Sequence, residues 1–151
     1  VTAVASGKKY NYQLMNKIVD VDGKTIEQYK PDYEDISGTL TSTQWDAIHS
    51  GMREVVSTMD RFQGFDIPVA GKTGTAQQTG HANHGLFVGY APYDDPEITI
   101  AVRIANGYSS HNAATAARNV ISYYYKETSM KDIKEMKAAG VNGNTRNSVA
   151  D

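Results

Sequence analysis

Between Val69 and Ala105 three segments that read as strands are separated by short turn-forming runs, and few folds are open to such a stretch. In the last segment Ile98, Ile100, Val102 and Ile104 share one side, and Thr99, Ala101, Arg103 and Ala105 the other. A period of two is the pattern of a strand with one buried face. Pro92-Tyr93-Asp94-Asp95-Pro96, just before it, is turn chemistry that suits an antiparallel link. The spacing predicts strands near 69–77, 85–91 and 97–105.

Helical patterns flank these strands. Thr41 with Gln44 is a capping-box signature. Trp45, Ile48, Met52, Val55 and Val56 then recur at helical spacing over 42–58. A second helix is expected from about His111 to Tyr125, with Ser110 as its N-cap. Its stripe is Ala113, Ala116, Ala117, Val120, Ile121 and Tyr124, and the small residues let it lie close on a sheet. Upstream, Val1 to Ser6 reads as a helix end stopped by Gly7. Asp22-Gly23, between Tyr10–Val21 and Lys24–Tyr29, is a hairpin signal. Pro31 to Thr41 reads as a polar connection and Asp60 to Pro68 as a loop. Met130, Ile133 and Met136 allow a short helix after Ser129, and the polar run from Gly140 to Asp151 reads as disordered. The expected class is α/β of the α+β type, an antiparallel sheet packed against helices. One domain spans 1–126, and a short charged helix and flexible tail span 127–151.

Composition narrows function mainly by exclusion. A net charge of −2 gives no electrostatic reason to bind nucleic acid. No apolar run approaches the length of a membrane span. The absence of cysteine suits an extracytoplasmic protein without disulfides, but also many cytosolic ones. The chain begins at Val1 rather than Met, which reads as processing or excision.

The chemistry concentrates at Lys72-Thr73-Gly74-Thr75, inside the run Val69 to Ala76. A lysine, two hydroxyls and a glycine at the start of a strand suit a site that binds an anionic peptide end and polarises a carbonyl. A nucleotide-binding P-loop fails on spacing, because the glycine it needs five residues before Gly71 is Asp66. Lys72 also leads into a strand, where a P-loop opens a helix.

The extended run Ile67 to Gln77 (IPVAGKTGTAQ) is followed by His84 to Pro92 (HGLFVGYAP), then Ile98 to Asn106 and a helix from His111. With Trp45 to Thr58 (WDAIHSGMREVVST) upstream, this stretch resembles the C-terminal portion of the transpeptidase domain of class B penicillin-binding proteins, of the penicillin-binding protein 2 type. The resemblance covers about residues 1–126 and is closest over 42–125. It implies a serine acyl-transfer enzyme that cross-links peptidoglycan stem peptides, binds β-lactams, and so bears on cell shape and antibiotic resistance. On that resemblance Lys72 sets positive charge near the substrate carboxylate and supports proton shuttling. Thr73 and Thr75 offer hydroxyls, Gly74 lets substrate lie against the strand, and the Thr75 N–H is an oxyanion donor. Ala76 and Gln77 continue the strand edge to which substrate or a β-lactam would pair. A β-lactam sensor or β-lactamase shares the motif, and a non-catalytic peptide-binding module could use the same pocket.

The nucleophile such a site serves is not evident in the chain. Ser6-Gly7-Lys8-Lys9 satisfies S-x-x-K, but Gly7 suits a helix end where a catalytic helix should start. Ser110-His111-Asn112 satisfies S-x-N, but lies after K-T-G where the family has it before. The implied partners are an upstream half of the same domain carrying both motifs, peptidoglycan stem peptides, β-lactams and a cell-wall synthesis complex. The implied location is the extracytoplasmic face of the bacterial membrane, with an N-terminal anchor outside these residues. Acyl transfer requires no cofactor. His81 and His84, at i, i+3 in a tight connection, could share a zinc ion with further ligands from the upstream half, although a hairpin loop with two solvated histidines is the simpler reading of the pattern. His49 and His111 read as structural or exposed. The Tyr123–Tyr125 cluster reads as packing at a helix end.

Overall fold

A computed structural model describes residues 1–135. Helix α1 (Thr2–Ser6) ends at Gly7, whose left-handed φ of 65° closes the turn. Four short strands follow, β1 (Lys8–Tyr10), β2 (Lys17–Val19), β3 (Thr25–Gln28) and β4 (Tyr33–Asp35). Helix α2 (Ser42–Ser57) leads to strands β5 (Ala70–Ala76), β6 (His84–Ala91) and β7 (Ile98–Ile104). Helices α3 (Ser110–Tyr124) and α4 (Met130–Glu135) complete the described part. Met136 and the Gly140–Asp151 run lie outside the described residues.

The Asp22-Gly23 hairpin forms, but its ladder is short. β2 pairs antiparallel with β3 and its register shifts between Ile18 and Val19. The Asp20 carboxylate accepts the Asp22 and Lys24 N–H groups at 3.0 and 2.8 Å and thereby shapes the turn. The expected polar connection at Pro31–Thr41 in fact holds β4, which pairs antiparallel with β1, and a 3₁₀ turn at Ser37–Thr39. Strands of three residues are too brief to show alternation. Cross-strand contacts hold them instead. The Tyr10 and Tyr33 rings lie 5.3 Å apart, Lys8 sits 4.7 Å from the Tyr33 ring, and Lys9 pairs with Glu34 at 3.4 Å.

The Thr41 and Gln44 capping box is present in both directions. Thr41→Ala is expected to lower stability by about 1 kcal/mol, read from chemical denaturation. Along α2, Trp45, Met52, Val55 and Val56 turn inward as the pattern implied. Ile48, however, is 38% exposed, and His49 takes its place on the inner face. His49 Nε2 lies 2.9 Å from the Val4 carbonyl, and its ring meets Tyr90 edge-on. The expected loop after α2 contains a 3₁₀ turn, Asp60–Phe62, that buries Phe62.

The three-stranded sheet has the order β5-β6-β7 and is antiparallel throughout. Ile98, Ile100, Val102 and Ile104 all face the core, as the alternation required. The core joins Val56, Met59 and Phe62 to Val69, Phe87 and one face of α3. That face is Ala113, Ala114, Ala117 and Ile121, while Val120 and Tyr124 are about half exposed, so the predicted stripe is rotated. The N-cap also moves by one residue. Ser109, not Ser110, accepts the His111 N–H, and Ser110 is buried in the first turn.

Phe87 sets the close approach of β5 to β6. Its ring stacks on Phe62 with centroids 6.0 Å apart. Across the ladder Gly71 stands opposite Gly89. A Cβ on Gly71 would come within 2.5 Å of the Phe87 Cζ, and one on Gly89 within 2.8 Å of its Cε1. Two glycines are therefore the receptacle of one buried ring.

Candidate active site

Lys72-Thr73-Gly74-Thr75 lies wholly within β5, an edge strand with no strand on its outer side among the described residues. The strand is held at its start, where Arg53 Nη1 donates to the Val69 carbonyl at 3.0 Å. The Tyr93 N–H donates to the Pro68 carbonyl at 2.7 Å. The register pairs Lys72 with Val88, Thr73 with Phe87, Gly74 with Leu86 and Thr75 with Gly85. Phe87 faces the core, so Thr73 and Thr75 share the core-side face of the strand. Lys72, Gly74 and Ala76 share the opposite one. Charge and hydroxyls thus stand on the two opposite faces of the same strand.

Lys72 is exposed, and its Nζ donates to the Thr73 carbonyl at 2.9 Å. Among the described residues no carboxylate forms an ion pair with it, since the ion pair found is Lys9 with Glu34. The ammonium is thus not neutralised by this part of the fold. Gly74 contrasts with Gly71. A Cβ there would meet only Leu86, at 3.4 and 3.5 Å, which is ordinary contact. Packing does not require the glycine at this position. Gln77 lies one residue beyond the strand and is exposed.

Beyond Gln77 the chain turns through Gly80 (φ 78°), where the His81 N–H donates to the Gln78 carbonyl at 3.1 Å. His81 is exposed. His84 begins β6, opposite Ala76, and its Nδ1 accepts the Asn106 N–H at 2.9 Å. No group of three His, Cys, Asp or Glu side chains converges among the described residues. Any ion at His81 and His84 would need further ligands from elsewhere and could use only Nε2 of His84 without breaking this bond.

The formal matches to the other motifs lie in other elements, α1 with β1 and the first turn of α3. Ser6 closes α1 and donates its hydroxyl to the Thr2 carbonyl at 2.9 Å. Lys9 is turned to Glu34. Ser110 and Asn112 are buried in the first turn of α3, with Asn112 Nδ2 donating to the Gly107 carbonyl at 2.9 Å.

In the β7–α3 turn the sequence marks Asn106 only by its place near a strand end, although Asn106-Gly107 is also a turn signal. Asn106 (φ 51°) and Tyr108 (φ 68°) are both left-handed without being glycine. That conformation costs roughly 1–2 kcal/mol per residue. The turn leads into Ser109, whose carbonyl oxygen lies 2.4 Å from where a Cβ on Gly85 would be. Gly85 is the residue opposite Thr75, so the start of α3 rests on the strand next to the motif.

An antiparallel sheet with a K-T-G edge strand and a covering C-terminal helix is the frame of a penicillin-recognising acyl-transfer domain. Residues 1–122 match the penicillin binding protein transpeptidase domain, and the chain belongs to that family. It is similar to the peptidoglycan D,D-transpeptidase MrdA of Haemophilus influenzae, at 33% identity, covering 82% of this chain and 22% of that protein. It also resembles the solved D,D-transpeptidase domain of a peptidoglycan glycosyltransferase from Eggerthella lenta. There the TM-score is 0.70 at 26% identity, over 83% of this chain and 30% of the other. The fold recurs in penicillin-binding protein A of M. tuberculosis, solved as an imipenem acyl-enzyme, with a TM-score of 0.70 at 20% identity over 82% of this chain and 28% of that one. The chain thus spans about a fifth of the Haemophilus relative's length.

Proposed function

We propose that this chain is the C-terminal part of a peptidoglycan D,D-transpeptidase and that β5 is its substrate-binding edge. The observation that carries this reading is an exposed Lys72, with no ion-pair partner among the described residues, beside a Gly74 whose missing side chain the fold does not need. In this reading a serine supplied by the protein outside these residues attacks the carbonyl of the penultimate D-alanine of a stem peptide. The C–O bond forms, the C–N bond breaks, and D-alanine leaves carrying the serine's proton. An amine of a second stem then attacks the ester, the new C–N bond forms, the C–O bond to the serine breaks, and the amine's proton returns to the serine oxygen. Lys72 holds the terminal carboxylate, Thr73 and Thr75 offer hydroxyls, and the Thr75 N–H contributes to the oxyanion site. Substrate lies along Gly74, Ala76 and Gln77 as an added strand. The reaction as written needs no cofactor. A zinc ion at His81 and His84 would be structural and incidental to it. By the similarity to the Haemophilus transpeptidase, the intact protein would work at the extracytoplasmic membrane face among cell-wall synthesis proteins.

Denaturing intact-mass spectrometry of the full-length protein after incubation with a penicillin tests this. The expected result is one long-lived adduct, mapped by proteolysis to a serine outside residues 1–151. Rapid loss of the adduct would favour a β-lactamase, and no adduct a peptide-binding module. An adduct on Ser6 or Ser110 would overturn the arrangement proposed.

A further inference from the structure

The geometry points to His84 as a positioning residue, which holds the Asn106–Tyr108 turn as a wall beside the substrate edge. This inference rests on the transpeptidase reading of β5. Thr75, Gly85 and Ile104 form one row across the sheet. The turn follows Ile104 directly and therefore lies at the end of the sheet where Ala76 and Gln77 leave it. Two strand spacings, about 10 Å, separate β7 from β5. The turn then runs back toward β5, because Ser109, which follows it, lies against Gly85, the residue one strand over from Thr75, so the turn flanks the end of β5 that carries the motif.

The turn is tied down by the residue that starts β6 and the one just before it. Asn83 accepts the Tyr108 N–H at 3.0 Å, and the His84 ring accepts the Asn106 N–H at 2.9 Å. Both anchored residues are in left-handed conformations that side chains disfavour. Without the anchors such a turn would relax toward ordinary backbone. The acceptor role also fixes the ring's tautomer, because Nδ1 must carry the lone pair and Nε2 the proton. A histidine is thus used here for the position of one acceptor atom, two bonds from Cβ. His84 makes no contact with the reacting carbonyl in this scheme. It acts through the turn, and the turn selects what can lie along the end of β5.

The position of the acceptor suggests the test. Asparagine places Oδ1 where histidine places Nδ1, whereas glutamine places its oxygen one bond further out and leucine has none. In the full-length protein, His84→Leu and His84→Gln are expected to slow acylation by a penicillin with a bulky side chain about tenfold, as misplaced binding elements do. The loss should fall on the binding constant more than on the first-order acylation step. His84→Asn should restore the wild-type rate. Leu and Gln variants that acylate like wild type would overturn the inference and leave the transpeptidase reading standing. A wild type that is not acylated would remove both. Residue-resolved amide exchange gives a second readout on the wild type that does not depend on a variant folding. Protection at Asn106 supports the bond, and exchange as fast as an open loop would overturn it.

Discussion

Lys72→Ala in the full-length protein is expected to lower the rate of penicillin acylation by about 10²–10³-fold, the scale seen when one preorganised charge-stabilising group is removed from an acyl-transfer site. The argument has two halves. Folding should barely notice the change, because the side chain is exposed and its hydrogen bond is to the carbonyl of the next residue. The melting temperature should stay within a few degrees of wild type. The site should notice it strongly, because no carboxylate of the described residues neutralises the ammonium. A ligand carboxylate arriving at the strand edge would be its counter-ion. Lys72→Arg is expected to recover only part of the rate. It keeps the charge, but a planar guanidinium does not release a proton and presents its donors in a fixed fork. The measurement is the second-order acylation rate with a fluorescent penicillin. A wild-type rate in Lys72→Ala would take Lys72 out of the mechanism.

What could be read in advance follows from how local each signal is. The three long strands were legible because each carries its own period or turn chemistry, and Ile98 to Ile104 packs as the alternation demands. The α2 cap was legible because both halves of the box lie within four residues. β1 and β4 were not. Their pairing joins segments that are each three residues long and more than twenty residues apart, so no local period announces it. The stripe of α3 was misjudged because alanines are small on every side, and only the sheet decides which of them it covers. Ser109 and Ser110 are equivalent as adjacent letters. The buried contact over Gly85 selects the first as cap. At the site, K-T-G was plain, yet alternation puts Lys72 and the two threonines on opposite faces of β5, which the motif as a string does not reveal.

Two glycines three residues apart in β5 are expected to answer the same substitution in opposite ways. Gly71→Ala places a methyl 2.5 Å from the Phe87 ring and 2.8 Å from the Val88 carbonyl. Neither neighbour moves cheaply, because Phe87 is fully buried and stacked on Phe62, and the carbonyl belongs to the central strand of the sheet. The expected cost is about 1–3 kcal/mol or somewhat more, as for other overpacked cores. Acylation should then fall only as the folded fraction falls. Gly74→Ala meets ordinary contact distances, and its backbone needs no left-handed φ. Its stability should hold or rise by about 0.4–1 kcal/mol, since alanine has less unfolded-state freedom to lose. The methyl stands on the Lys72 face of the strand, where a ligand paired to the edge would lie. Acylation should drop by about tenfold or more with the fold intact, as misplacement of a bound reactant does. Thermal denaturation and acylation rates on both variants separate the two cases. A double substitution, Gly71→Ala with Phe87→Leu, sharpens the first, because a smaller side chain makes room for the methyl and the two costs should sum to less than their separate values. Equal losses of stability at Gly71 and Gly74 would mean that β5 is packed as tightly at Gly74 as at Gly71, and the proposed ligand edge would have to be sought elsewhere.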